Sequence, residues 1–169
     1  MVTPMAVKVR ALRPGDGSGI ARAWLHAAAY YADLDPDQFR VPSAEGLARD
    51  FEGRAGRAGE DVLELAADLD GRAVGWLSAR IEKPSPHAAA QLTREHGWTR
   101  LVVDALIVDP EVWRRGAGTA LLEAAESWGR DRGAVVARLD TYAESPVSVP
   151  FYEDRMGYRR RSIIYQKWL

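Results

Sequence analysis

Residues 108–122 read "VDPEVWRRGAGTALL", two arginines and two glycines between a proline and an apolar run. Pro110 ends whatever strand precedes it, because proline has no N–H to give to a ladder and fixes its own φ. The run after the glycines carries Leu121, Leu122, Ala125 and Trp128 on one helical face, with Glu126 and Arg130 four apart on the other. Gly133 follows as a C-terminal stop. The spacing therefore predicts a helix over 118–132 whose N-terminus opens on Gly116-Ala117-Gly118. The first turn of a helix presents unpaired N–H groups and the positive end of its dipole, a natural seat for an anion. Glycine removes the Cβ that would hold a phosphate off the backbone, and Arg114 and Arg115 can add charge-assisted bonds. The competing reading is a solvated, flexible turn.

Three phosphate-binding designs compete for this segment. A P-loop requires lysine beside its last glycine, and none stands near Gly118. A dinucleotide fingerprint begins acceptably at Gly116-Ala117-Gly118, with Asp140 downstream as a ribose ligand. Its third position is Leu121, however, and the strand ends near Val108, too early for a tight strand-to-helix turn, so this reading stays as a distant alternative. The third design is a strand, a proline turn, a G-x-G and a long amphipathic helix.

Outward from this stretch, "RLVVDALIVDP" (100–110) is a buried, β-branched strand, and "DVLELAADLDGRAVGWLSARI" (61–81) is two strands around an Asp70-Gly71 hairpin turn. Residues 83–98 form a long connection rich in proline and turn formers, of the kind that is usually functional or mobile. Toward the N-terminus, 7–13 alternates as a strand. Residues 20–32 are an amphipathic helix, and Ser43 is placed to cap a second one running through Leu47 and Phe51. Downstream come a strand at 134–142, a short helix or turn at 146–156 closed by Gly157, and a terminal strand at 158–169. The order β, two helices, β-β-β, α, β, α, β predicts an α/β (α+β) fold with a mixed sheet of six to seven strands flanked by helices.

Composition narrows the function. At 169 residues with 47% hydrophobic content, the chain reads as a single domain over 1–169. A net charge of -1 gives no field for nucleic acid or an anionic membrane, so an anion site must be local. No run approaches a membrane span and the opening residues lack a signal-peptide core, which predicts a cytoplasmic protein. With no cysteine, acyl chemistry proceeds without a thiolate nucleophile. His26, His87 and His96 show no helical pair and no neighbouring carboxylate at ligand spacing, so no metal is expected.

"VDPEVWRRGAGTALL" resembles the acetyl-coenzyme A motif of the GNAT superfamily of N-acetyltransferases, [RQ]-x-x-G-x-[GA] a few residues after V-x-P. Val108-x-Pro110, the glycine pair and the "ALL" helix start match, while Trp113 stands where the family commonly has Arg or Gln. A second stretch, "SPVSVPFYEDRMGYRRR" (145–161), is similar to the family's late motif. Phe151, Tyr152, Glu153, Gly157 and Tyr158 match, and Ser145 and Ser148 replace the frequent Asn and Ala. The motifs lie within 104–158.

The resemblance implies a GNAT-like fold with a splayed, coenzyme-binding strand pair, and direct acetyl transfer from acetyl-CoA to an amine in a ternary complex. Leu106, Ile107 and Val108 would pair with the pantetheine arm through their backbone, with the N–H of Leu106 or Ile107 on the thioester oxygen. Arg114, Arg115, Gly116, Ala117, Gly118 and Thr119 would hold the pyrophosphate, with Ser145 and Phe151 completing the coenzyme site. A phenol of pKa about 10 facing a thiol of about 8.5 makes proton donation cost about 2 kcal/mol, which makes Tyr152 the expected general acid. Asp104 is the expected base, competing with a plain arginine-paired carboxylate, and Glu64 and His26 are lesser candidates. The helical aromatics Trp24, Tyr30 and Tyr31, with His26 and Phe39, would face the acceptor, a small-molecule or peptide amine. A homodimer is compatible with this reading. The alternatives are a non-catalytic acyl-CoA-binding module of the same fold and, more distantly, a dinucleotide-dependent oxidoreductase.

Overall fold

A computed structural model describes residues 7–169, in two compact units, one running to Arg138 and the other from Leu139 to Leu169. The larger unit is a five-stranded sheet in chain order: β1 (Lys8–Ala11), β2 (Val62–Leu69), β3 (Arg72–Glu82), β4 (Arg100–Val108) and β5 (Val136–Arg138). The first four strands are antiparallel to their neighbours, and β5 runs parallel to β4. Among the described residues, three α-helices belong to the same unit: α1 (Gly17–Leu34), α2 (Leu47–Glu52) and α3 (Ala117–Asp131).

The β2–β3 hairpin turns where the sequence says it should. Asp70 and Gly71 both take positive φ, 53° and 83°, the pair a tight hairpin turn needs, and Asp68 Oδ1 accepts the Gly71 N–H at 2.7 Å. Alternation along β3 then sends Trp76 to one face of the sheet and Leu77 to the other. Trp76 and Ala66 pack with Ile20 and Ala21 of α1 and Phe51 of α2. On the opposite face, Gly129 of α3 lies so close to Leu101 that a Cβ there would come within 3.1 Å of the leucine Cβ. Leu121 and Leu122 of the same helix are fully buried.

Helix α1 begins in a crowded corner. A Cβ on Gly17 would fall 2.3 Å from the Ala48 carbonyl oxygen, and one on Gly19 2.5 Å from that of Ala73. Glu52, at the end of α2, accepts the Gly15 and Gly17 N–H groups at 2.5 and 3.0 Å, so a carboxylate from another helix satisfies the amides at the start of α1. Beside it, the Arg10 guanidinium bonds Asp16 at 2.6 Å and Asp68 at 2.7 Å. Burial works against the charge on Asp16, but Arg10 and the Arg13 amide outweigh it and its carboxyl lies below the ordinary range. The Arg10 bond, foremost, does the same for Asp68. Both carboxyls are thus more acidic folded than unfolded. Their contribution to stability is intact above the ordinary carboxylate pKa of about 4 and is lost as pH falls through the lower folded values. Arg10→Met should therefore flatten the acid limb, its stability falling less steeply than the wild type's below about pH 4, read by urea titrations at successive pH.

Two expectations need correction. The sheet has five strands rather than six to seven, because 158–169 forms no strand and β5 is three residues long. The terminal segment has strand-like residues, yet Ile163, Ile164, Tyr165 and Trp168 are exposed. Propensity makes a strand only where a neighbour completes the ladder. Ser43 does not cap α2: its Oγ accepts the Glu45 N–H in a local turn, and the helix starts after Gly46 at φ 77°. Among the described residues, no helix is long and apolar enough to cross a membrane.

Candidate active site

β4 is where the larger unit opens. Its pairing with β5 covers only Arg100 to Val102, opposite Val136 to Arg138, so 103–108 has no strand on that side among the described residues. Divergence begins at a β-bulge. Ser78 and Ala79 of β3 face Ala105 and Val103, leaving Asp104 as the extra residue of β4, and a bulge of this kind bends its strand and steepens the twist. Beyond it the Asp109 N–H donates to the Val74 carbonyl at 2.8 Å, and the Ile107 carbonyl oxygen lies 2.9 Å from where a Gly75 Cβ would be. Ile107 therefore turns its backbone groups toward β3. Alternation turns those of Leu106 and Val108 to the open side.

The strand ends at Val108, and a short turn, Pro110–Val112, leads to the glycine segment. Arg114 and Gly116 both take positive φ, 64° and 84°, and nothing lies within 4 Å of where a Gly116 Cβ would project. Gly116 caps α3, and the first helical bond runs from the Ala120 N–H to the Gly116 carbonyl at 2.9 Å. The amides of Ala117, Gly118 and Thr119 precede that bond and have no helical acceptor. Arg114 and Arg115 stand exposed beside them. An open strand edge, a turn with left-handed residues at Arg114 and Gly116, and a glycine-capped helix thus follow one another, a continuous polar track suited to an extended amide and an anion at its end.

Trp113 now has a role. Its indole Nε1 donates to the Val108 carbonyl at 2.8 Å, and its ring meets Tyr30 of α1 edge-on at 4.9 Å. It ties the glycine segment to the end of β4 and to α1, and occupies the carbonyl on the open side. No local pattern announces this, since donor and acceptor meet only when the turn forms.

The other expected residues fall into separate groups. Tyr30, Tyr31 and Phe39 continue from Trp113 as a chain of ring contacts at 5.4 and 5.2 Å. Trp24 packs instead with Phe51 and Trp76, at 5.6 and 6.3 Å. Asp104 is exposed and ion-paired with Arg80, which also bonds Glu82 at 2.9 Å. Glu64 is buried, accepting Trp76 Nε1 at 2.6 Å and Ser78 Oγ at 3.0 Å. His26 Nδ1 lies 3.1 Å from buried Asp109, and with Glu111 these offer three ligand atoms within 4.8 Å of one another, a grouping invisible to linear spacing. Arg22, however, pairs with both carboxylates, so a guanidinium already stands where a cation would bind.

In the smaller unit, α4 (Ser148–Pro150) widens into a π turn over Phe151–Arg155, closed by the Met156 N–H on the Phe151 carbonyl at 3.0 Å. Tyr152 lies in that wide turn, its ring between Phe151 at 5.1 Å and Tyr158 at 5.9 Å. Buried Ser145 accepts the Ser148 N–H on its Oγ at 3.0 Å, a capping bond. Gly157 leaves the helix at φ 73°.

Comparison with known proteins agrees with this fold. A sequence model described as the acetyltransferase (GNAT) family matches residues 24–158. The curated mycothiol acetyltransferase of Cellulomonas flavigena is 31% identical over 160 residues, 95% of this chain. The chain spans only 42% of that relative's length. Among solved structures, a tetramutant of the BH1408 protein from Bacillus halodurans superposes with a TM-score of 0.78 at 19% identity, covering 96% of this chain and 99% of that one. The aminoglycoside N-acetyltransferase AAC(6')-Iy, solved with a CoA-linked bisubstrate analogue, gives 0.59 at 19% over the same shares. At such identities the two structures speak for the fold, and the family match, which takes in the open strand, the glycine segment and the Phe151-Tyr152 turn alike, goes further: the chain belongs to the GNAT acetyltransferase family.

Proposed function

We propose that the chain is one N-acetyltransferase domain, moving the acetyl group of acetyl-CoA onto a primary amine of a small molecule or protein by direct attack in a ternary complex. The observation that carries this reading is the unbroken track from the open edge of β4 to the glycine-capped start of α3. The N–H groups of Leu106 and Val108 would pair with the pantetheine amides, and those of Ala117, Gly118 and Thr119 with the pyrophosphate, helped by Arg114 and Arg115. Of the two amides considered for the thioester oxygen, Leu106 is favoured, because Ile107 is committed to β3. Tyr152 would return a proton to the departing thiolate. Asp104, at the bulge, would take the amine's proton directly or through water once Arg80 turns to its other partner, Glu82. The cytoplasm, where acetyl-CoA is made and used, is the compartment this reading fits.

The test pairs binding with turnover. Acetyl-CoA at about 100 times its Kd should stabilise the fold by about 2.7 kcal/mol, and NAD at the same concentration should not. Release of free thiol across a panel of amines then reports transfer, against a background free of protein cysteine. Stabilisation without thiol release would favour a binding module, and the absence of both signals would overturn the proposal. Trp113→Phe keeps the ring edge on Tyr30 but removes the indole N–H. It should raise KM for acetyl-CoA about fivefold, the loss of one hydrogen bond, and leave kcat nearly unchanged.

A further inference from the structure

Glu64 lies 2% exposed on the inner strand β2, and both hydrogen bonds to its carboxylate come from neutral donors, the Trp76 indole and the Ser78 hydroxyl. A carboxylate so placed calls for a compensating charge. The cation nearby is Arg54, yet its Nη1 stands 4.0 Å from Glu64 Oε1, beyond hydrogen-bond reach. The guanidinium lies instead on aromatic faces, its Cζ 4.6 Å from the Trp76 ring centre and 5.7 Å from that of Phe51, with Trp24 closing the group. Arg54 enters from the surface, its side chain 31% exposed, on a single 3-10 turn, Gly53–Gly56, with glycine at both ends and nothing within 4 Å of where either Cβ would sit. Two aromatic faces beside a buried carboxylate, backed by a third ring, are a receptor for an ammonium or guanidinium group. The chain's own arginine is in it, held by stacking and field rather than by a direct bond.

The register fixes where this receptor stands. Glu64 faces Ser78, and Ser78 faces Ala105, so Glu64 is two strand spacings, about 10 Å, from the residue that adjoins Leu106. Directly opposed residues share a face of the sheet, so Glu64 and Ala105 look the same way. We infer that the Trp24, Phe51, Trp76 and Glu64 box seats a positively charged group of the acceptor, and that Arg54 is a displaceable occupant giving way to it. The acceptor class is then a dication, whose one nitrogen reaches β4 while the other takes the place of Arg54 about 10 Å away. This inference rests on the acetyltransferase reading for the first nitrogen and stands independently of it for the second.

The decisive variant is Arg54→Ala in the full chain. In thermal-shift and calorimetric titrations, methylguanidinium should bind the variant about tenfold more tightly than the wild type, restoring part of the melting temperature lost with the side chain. In turnover, KM for diaminooctane should fall severalfold in Arg54→Ala, while KM for octylamine and for acetyl-CoA stays put. Glu64→Gln supplies a second arm should Arg54→Ala not fold: it should raise the ratio of the KM for diaminooctane to that for octylamine about tenfold. Equal methylguanidinium affinity in the wild type and Arg54→Ala, or an unchanged diaminooctane-to-octylamine ratio in Glu64→Gln, overturns the inference. A protein that acetylates no amine, yet whose Arg54→Ala variant binds methylguanidinium as expected, keeps the receptor and loses only the acetyltransferase reading.

Discussion

Tyr152→Phe should lower kcat by a factor of about 10²–10³ while leaving KM for acetyl-CoA close to that of the wild type. The expectation separates two things the side chain does. Its ring makes edge contacts with Phe151 and Tyr158, which phenylalanine keeps, so the wide turn should hold its shape. On the proposed mechanism, the substitution removes the proton offered to the thiolate as the C–S bond breaks. A loss of that size corresponds to about 3–4 kcal/mol of transition-state stabilisation, the usual range for a positioned general acid. The measurement is steady-state kinetics with both substrates varied, beside calorimetry with acetyl-CoA. Equal fall in kcat and kcat/KM for the amine places the loss in the chemical step. Turnover equal to the wild type would remove the phenol from the mechanism and leave water as the proton source.

A large loss of stability is expected from Gly19→Ala. Alanine normally improves a helix, by about 1 kcal/mol relative to glycine, so propensity alone predicts a gain. The new Cβ, however, would meet the Ala73 carbonyl oxygen at 2.5 Å, and that atom belongs to the backbone of β3, which cannot swing aside. Overpacking of this kind costs about 1–3 kcal/mol, and against backbone the upper end applies, for a fall in melting temperature of roughly 10 °C in a chain of this size. Gly53→Ala is the control: its φ of -64° suits any residue and nothing lies within 4 Å of its Cβ position, so it should melt within about 2 °C of the wild type. The pair separates crowding at α1 from a general intolerance of alanine for glycine.

What the sequence made legible is what local chemistry encodes. Asp70-Gly71 can hardly be anything but a tight turn, Pro110 must stop β4, and the face of α3 is written in Leu121, Leu122 and Ala125. The glycine pair read as the start of a helix, and α3 opens there. The rest depends on residues far apart in the chain. Glu52 satisfies the amides at the start of α1 from the end of α2, Arg10 joins Asp16 to Asp68, and Trp113 finds the Val108 carbonyl, none of which leaves a periodic trace. The same reason made 158–169 look like a strand: its residues favour one, but a ladder needs a second chain segment that no one-dimensional pattern can supply. Trp24 and Tyr30 lie on one helix and looked alike, yet six positions on α1 are enough to send them into different clusters.

The bulge at Asp104 has a further meaning when counted in codons. Val103 faces Ala79 and Ala105 faces Ser78, so the two halves of β4 are each in ordinary register with β3 and differ from an unbroken strand by one residue. Removing that residue would leave each remaining side chain of β4 on its present face and each partner unchanged, while abolishing the bend that starts the divergence from β5. A bulged and a regular β3–β4 ladder are thus neighbours in genetic distance, separated by a single in-frame triplet rather than by a redesign of the core.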